Sequence, residues 1–183
     1  MTATRNRVRI IGGRFRSRIL RFPDASPIRP TPDRVRETLF NWLGQRLDAL
    51  DCVDLFAGSG ALGFEASSRG AARVVMVERD RATARALRES IAQLQAEGVE
   101  VVEDDALAYL RRTRDSFDVA FVDPPYASGL AGQALALIAP RLRPGARVYV
   151  ERDAPIDFGP SWRVLREDRA GAVRYALMEP TSP

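Results

Sequence analysis

"DCVDLFAGSGALGFEASSRG", residues 51–70, joins an apolar run to a second apolar run through a glycine-rich turn. Gly58 and Gly60 permit backbone angles and close approaches that a side chain forbids, so a strand can end and a helix begin there. The unit then recurs. "RVVMVE" (73–78) predicts a strand and 80–96 a helix. "VEVVE" (99–103) predicts a strand and 105–113 a short helix. "FDVAFVD" (117–123) is a strand before a helix over about 129–142, and "ARVYVE" (146–151) is a further strand. This alternation predicts an α/β fold with a doubly wound, mostly parallel sheet. The strands are nearly all apolar, as expected where helices cover both faces. The tail, "WRVLREDRAGAVRYALME" (162–179), alternates and breaks near Ala170-Gly171, which predicts an antiparallel C-terminal hairpin at a sheet edge.

Upstream of residue 51 the character changes. Residues 1–46 hold eleven arginines against three acids, a balance of +8, so the remaining 137 residues carry −4 of the net +4. Residues 7–22 predict two short strands around "IIGGRF". Arg5, Arg7 and Arg9 alternate, as do Arg14, Arg16 and Arg18, so on strands each set occupies one face. "PDASPIRPTP" (23–32) is a proline-rich loop. A helix over 32–47 starts at Pro32 or Asp33, with Val35, Leu39, Trp42 and Leu43 as its apolar stripe. The chain thus divides into a basic N-terminal hairpin arm, 1–31, and an α/β domain, 32–183. A basic arm on an acidic body suits a polyanionic partner.

Several chemistries are excluded. The chain has no His, and all 28 basic residues are arginines. Ser-His-Asp and Cys-His nucleophiles, His-ligated zinc, a phosphate-binding lysine and Schiff bases are therefore ruled out. Cys52, the single cysteine, forms no internal disulfide and reads as inert core. No metal is expected. No apolar run reaches the roughly 18–20 residues of a membrane span, and no signal peptide is evident, so a cytoplasmic monomer is expected.

Ligands of such sheets bind beyond the carboxyl ends of the strands. After the first strand of the domain comes "DLFAGSGALG" (54–63), where backbone amides at a helix start favour an anionic group. The Gly58, Gly60, Gly63 spacing also fits dehydrogenases, so this loop does not discriminate. Glu78 follows the second strand, 20 residues beyond Gly58. It suits ribose hydroxyls, or is a solvated acid. Asp105 follows the third, as an acceptor for an adenine amino group or as a helix cap. "FVDPPY" (121–126) follows the fourth and does discriminate. An exocyclic amino group on a base is a poor nucleophile, because its lone pair is delocalised into the ring. It needs acceptors that hold both N–H bonds and aim the nitrogen. Asp123 supplies a carboxylate, Pro124 a carbonyl, and Tyr126 a face for base stacking. Pro124 and Pro125 stiffen the loop before substrate arrives. The matching electrophile is a methyl sulfonium, as in S-adenosylmethionine, and in-line methyl transfer requires no His or Lys.

These segments resemble the Rossmann-like class I methyltransferases with a [DN]-P-P-[YFW] motif. "RIIGGRFRSRIL", "RPTPDRVRETLFNWL", "DLFAGSGALGFEASSRGA", "VERDR" and "FVDPPY", in that order, resemble the bacterial small-subunit ribosomal RNA methyltransferase D family across about 9–179. The resemblance implies a seven-stranded sheet and S-adenosylmethionine-dependent methylation of a guanine N2 in 16S ribosomal RNA, naked or within a 30S subunit or assembly intermediate. It implies cofactor contacts at Asp54, Ala57, Gly58, Ser59, Gly60, Glu78, Arg79, Asp105 and Ala106. Thr31 and Arg34 would lie near the methionine end, unless Arg34 simply pairs with Asp33 or Glu37. Asp123, Pro124, Pro125 and Tyr126 would meet the target base, and Arg7, Arg9, Arg14, Arg16 and Arg18 the RNA. Two other functions are weighed against this one: an amino-methylating enzyme of DNA, and a non-catalytic RNA-binding assembly factor.

Overall fold

The computed structural model describes residues 6–23, 30–125, 128–152 and 157–181. The arm comprises β1 (Arg7–Arg9) and β2 (Ile19–Arg21), and α1 (Asp33–Trp42) follows it. The domain continues β3 (Asp51–Asp54), α2 (Ala61–Ser68), β4 (Arg73–Glu78), α3 (Arg81–Leu94), β5 (Val99–Glu103), α4 (Ala106–Arg112), β6 (Phe117–Val122), α5 (Leu130–Ile138), β7 (Leu142–Arg152), β8 (Trp162–Ala170) and β9 (Val173–Pro180). A single 3₁₀ turn, Ala139–Arg141, joins α5 to β7.

The seven-stranded sheet runs β5-β4-β3-β6-β7-β9-β8. Pairs from β5 to β7 are parallel, and β9 is antiparallel to both β7 and β8. The expected doubly wound sheet with its C-terminal hairpin is therefore present. Chain order steps outward from β3 to β5, then returns to place β6 on the other side of β3. The crevice between β3 and β6 is the topological switch point where ligands of such sheets bind.

Side chains alternate across the sheet and make two cores. Cys52, Met76, Phe121 and Tyr149 pack on one face with Phe40, Phe64 and Leu87 of α1, α2 and α3. Val53, Val75, Val122 and Val150 pack on the other with Leu110, Leu135 and Ile138 of α4 and α5. Cys52 is fully buried, which pushes its thiol well above the usual range and makes it inert.

The arm is sewn onto this domain. Val8, Ile10, Phe15 and Leu20 are buried in the first core. Glu65 of α2, itself fully buried, accepts the Ile11 amide at 2.9 Å on one oxygen and the Gly12 amide at 2.8 Å on the other. Ser68 accepts the Phe15 amide at 2.8 Å, and its carbonyl accepts that of Arg14 at 2.7 Å. Gly13 has φ +73°, and a Cβ there would collide with the Ser68 carbonyl, so glycine is required on both counts.

One arm expectation is corrected. Arg14, Arg16 and Arg18 are not on a strand: residues 10–18 form turns closed by Arg16 N–H to Gly13 and Ser17 N–H to Ile10. Anchoring of Gly12 to Phe15 by α2 pulls that segment out of any ladder. On β1 the alternation holds, with Arg7 and Arg9 exposed on either side of buried Val8. Arg21 lies opposite Arg7 on the same exposed face, beside Ile19.

Candidate active site

Four adjacent strands, β5, β4, β3 and β6, present the candidate residues at their carboxyl ends. Asp54 closes β3 and is buried. Its Oδ2 accepts the Gly63 amide of α2 at 3.1 Å, whereas Oδ1 is buried without a partner among the described residues. Gly63 makes this approach possible, since a Cβ would sit 2.6 Å from Met76 Sδ. Burial pushes the Asp54 carboxyl up to about 7, against hydrogen bonds from the Gly63 and Phe56 amides, which favour the ionised form. Gly60, at φ +78°, stands at the N-cap of α2, which has no side-chain cap. Ser59 Oγ accepts the Ala61 amide at 3.4 Å and Asp54 that of Gly63, so what the helix start presents to the crevice is its positive end.

Glu78 closes β4 and pins the glycine loop. One carboxylate oxygen accepts the Gly58 amide at 2.9 Å, the other that of Asp80 at 2.8 Å. The neighbouring Arg79 is exposed, and Ala57 and Ser59 are buried within the loop. Asp105 caps α4, accepting the Leu107 and Ala108 amides at 3.0 Å each, and both bonds use Oδ1. The cap is therefore real and leaves Oδ2 outside it. Ala106 is buried in the first turn.

Asp123 follows β6 and is half-buried. Thr31 Oγ1 donates to its Oδ2 at 3.1 Å across 92 residues of sequence. Burial raises the Asp123 carboxyl well above the usual range. The charge of Glu151 adds to this, the Thr31 hydrogen bond opposes it, and Asp54 raises it further. Register accounts for Glu151: Val122 lies opposite Val150, so Asp123 and Glu151 are next along their strands. Tyr149 Oη donates to Glu151 Oε2 at 3.0 Å. Pro124 is buried and Pro125 exposed, with the Pro125 carbonyl accepting the Ser128 amide at 3.4 Å. The expectation for Tyr126 lies outside the described residues.

The remaining expected residues lie on α1 and on the arm. Arg34 is exposed on α1, where its charge acts on Asp168 of β8, and Asp33 pairs with Arg9 and Arg36 instead. Arg14 and Arg16 line a cleft of about 620 Å³ with Arg46, Asp48 and Arg69, at the amino end of the sheet. Arg18 reaches the Gln93 carbonyl of α3 at 3.5 Å.

Three residues escape sequence reasoning. Arg36 and Glu65 are both fully buried and 3.4 Å apart. Glu65 is a lone acid in an otherwise apolar helix, which is the signal of a buried pair. Arg36 shares the inward face of α1 with Phe40, four residues on. Glu151 is legible in that the β7 run, like β6, stops at an acid.

Comparisons with known proteins agree with this geometry. The profile of the family described as Conserved hypothetical protein 95 matches residues 8–179. Ribosomal RNA small subunit methyltransferase D of Haemophilus influenzae is 41% identical over 180 residues, spanning 94% of this chain and 93% of that protein. The chain belongs to the ribosomal RNA small subunit methyltransferase D family. The family member of Escherichia coli K12 is 41% identical over 177 residues, spanning 94% of this chain and 89% of its own length. The solved Escherichia coli protein yhhF superposes with a TM-score of 0.88 at 40% identity, covering 97% of this chain and 99% of that one. The Thermus thermophilus 16S rRNA N2 G1207 methyltransferase, solved with AdoMet and guanosine, has a TM-score of 0.73 at 22% identity, covers 95% of this chain and 49% of that one, and shares the fold.

Asp54 carries a pH prediction. Its folded-state carboxyl is raised, so the native state binds more protons than the unfolded chain between about pH 4 and 7, and stability falls as pH rises through that window. Asp54→Asn should flatten the fall. Chemical denaturation of both proteins at pH 5 and 8 tests this, and identical pH slopes would contradict it.

Proposed function

We propose that this chain transfers a methyl group from S-adenosylmethionine to the exocyclic N2 of a guanine in 16S ribosomal RNA. The observation that carries the reading is Asp123: a carboxylate followed by two prolines, held by Thr31, at the switch point beside the β3 glycine loop. The names of the relatives support the substrate. The site also fits the cofactor. Asp54 Oδ1 is a buried acceptor without a partner among the described residues, α2 directs its positive end at the crevice, and Asp105 has an oxygen outside its cap. In this reading Glu78 takes the ribose hydroxyls, Asp105 the adenine amino group, and the loop Ala57–Gly60 with Asp54 the methionine end. Arg79 and Ala106 flank the nucleoside, Arg34 of α1 offers its charge to the methionine carboxylate, and Thr31, just before α1, lies near the methionine end with its hydroxyl committed to Asp123.

The cofactor supplies an electrophilic methyl on a sulfonium. Asp123 accepts one N–H of the guanine amino group and the Pro124 carbonyl the other, which turns the nitrogen lone pair toward the methyl. As the N–C bond forms and the methyl–sulfur bond breaks, its electron pair returning to sulfur to leave a neutral thioether, positive charge grows on nitrogen, and the Asp123 carboxylate stabilises it and receives the proton. Asp54, Asp123 and Glu151 close three adjacent strands, so the crevice carries negative potential suited to a cation. Arg7, Arg9 and Arg21 on the exposed face of the arm would track RNA phosphates, with Arg14, Arg16 and Arg18 along its turn. Ile19, 46% exposed on that face, offers an apolar contact for an unpaired base. In this reading the chain works as a monomer in the cytoplasm, on 16S rRNA within a 30S subunit or assembly intermediate, and the names of the relatives support the rRNA.

The test supplies tritiated S-adenosylmethionine with unmodified 30S subunits, naked 16S rRNA or duplex DNA, followed by nucleoside analysis. N2-methylguanosine from ribosomal material is expected. Label in adenine or cytosine of DNA would overturn the substrate. No label, with cofactor still bound, would favour a non-catalytic assembly factor.

A further inference from the structure

The arm and the substrate-facing carboxylate are joined by an unbroken line of hydrogen bonds. Arg36 is completely buried, and each of its guanidinium nitrogens is used. Nη1 donates to the Arg9 carbonyl of β1 at 2.8 Å and faces Glu65 at 3.4 Å. Nη2 meets Asp33 at 2.5 Å, and Nε donates to the Thr31 carbonyl at 3.1 Å. Thr31 is buried between Pro30 and Pro32, and its hydroxyl donates to Asp123. A residue before proline is confined to extended backbone, so Thr31 has little freedom of its own. Its remaining freedom, the placement of its main chain relative to the arm and α2, is what Arg36 removes. The guanidinium fork suits this task because it offers five donors in a fixed plane.

We infer that Thr31 and Arg36 are positioning residues for methyl transfer: Arg36 locks the Thr31 main chain to β1 and α2, and the Thr31 hydroxyl aims the Asp123 carboxylate. The basic arm is then part of the catalytic frame as well as a surface for RNA. Without the Thr31 hydrogen bond the Asp123 carboxylate can rotate about its side-chain torsions, and it loses its one donor among the described side chains. A carboxylate turned away from the amino group no longer holds it in line with the methyl. The inference rests on the reading of Asp123 as the group that meets the substrate amine.

The experiment compares the wild-type protein with Thr31→Val, Thr31→Ser and the paired change Arg36→Gln/Glu65→Gln, which removes both buried charges together. For each, kcat and KM are measured with unmodified 30S subunits, cofactor affinity by calorimetry, and Tm by thermal scan. Thr31→Val should lower kcat ~10–100-fold, the loss of one hydrogen bond to a charged group, with cofactor affinity and Tm nearly unchanged. Thr31→Ser, which restores the hydroxyl, should recover most of that loss. In the Arg36→Gln/Glu65→Gln background, Thr31→Val should cost much less, because its target is already loosely placed. A Thr31→Val protein with normal kcat overturns the inference. So does one whose defect is confined to cofactor affinity, or one that serine does not rescue. If the paired change does not fold, the valine and serine variants still decide. The Asp123→Ala control separates the two levels: if it retains turnover, the site reading fails, and if it is inactive while Thr31→Val is normal, only the positioning role fails.

Discussion

Asp123→Ala is expected to lower turnover by about 10²–10⁴-fold, the range for loss of a positioned proton acceptor and charge stabiliser, while cofactor affinity changes little. The asymmetry follows from placement. Asp123 stands beyond β6, on the far side of the switch point from Glu78 on β4 and Asp105 beyond β5, so its removal leaves those groups intact. It also relieves the like charge beside Glu151 and Asp54, which currently raises the Asp123 carboxyl. Asp123→Asn keeps the shape and an acceptor oxygen but cannot take a proton or offset positive charge, so its turnover should stay close to that of the alanine variant. Single-turnover kinetics with unmodified 30S subunits, paired with calorimetric cofactor binding, would check this. Turnover of Asp123→Ala within threefold of wild type would remove Asp123 from the chemistry.

Glu65→Ala is expected to destabilise the fold by about 3–5 kcal/mol, the usual cost of leaving one partner of a buried ion pair unpaired. Glu65 serves four donors: the Ile11 and Gly12 amides, Arg36 at 3.4 Å and Arg69 at 3.0 Å. Its loss strands two arm amides and weakens the hold on a guanidinium with no access to water. The arm should loosen before the sheet melts, because Glu65 also steadies Arg36, whose bond to the Arg9 carbonyl weakens with it, and the other ties are Ser68, the exposed contacts of Arg9 and Arg18, and the buried Val8, Ile10, Phe15 and Leu20. Urea denaturation gives the global cost, and hydrogen exchange at Ile11, Gly12 and Phe15 reads the arm directly. A loss below about 1 kcal/mol, typical of exposed pairs, with protected arm amides, would mean that the apolar contacts alone hold the arm.

The doubly wound sheet, its C-terminal hairpin and the acids at the strand tips were legible because each rests on local pattern: apolar runs, glycine turns and the stop at Pro124-Pro125, whereas the order of the strands about β3 came only with the structure. Helix boundaries came within a few residues for the same reason. The Arg14, Arg16 and Arg18 strand was misread because two-residue alternation also occurs in a turn held from outside. Here the holding groups, Glu65 and Ser68, lie more than fifty residues away. At Asp105, of the two roles the sequence offers, the structure shows the helix cap, and the cap consumes one oxygen only.

By itself the sequence determined the doubly wound class, the glycines and acids at four strand tips, the exclusion of His- and Lys-based chemistry, and the concentration of positive charge in the first 46 residues. These follow from residue type and short-range periodicity, which the chain carries wherever it folds. Only the tertiary structure decided that Thr31 meets Asp123, that Arg36 and Glu65 weld the arm to α2, and that Glu151 stands beside Asp123. Those relations depend on strand register and on buried charges finding partners across 29 to 92 residues of chain. The physical reason is burial. Water would satisfy each of these groups alone, and only its exclusion from the assembled core makes their mutual contacts obligatory.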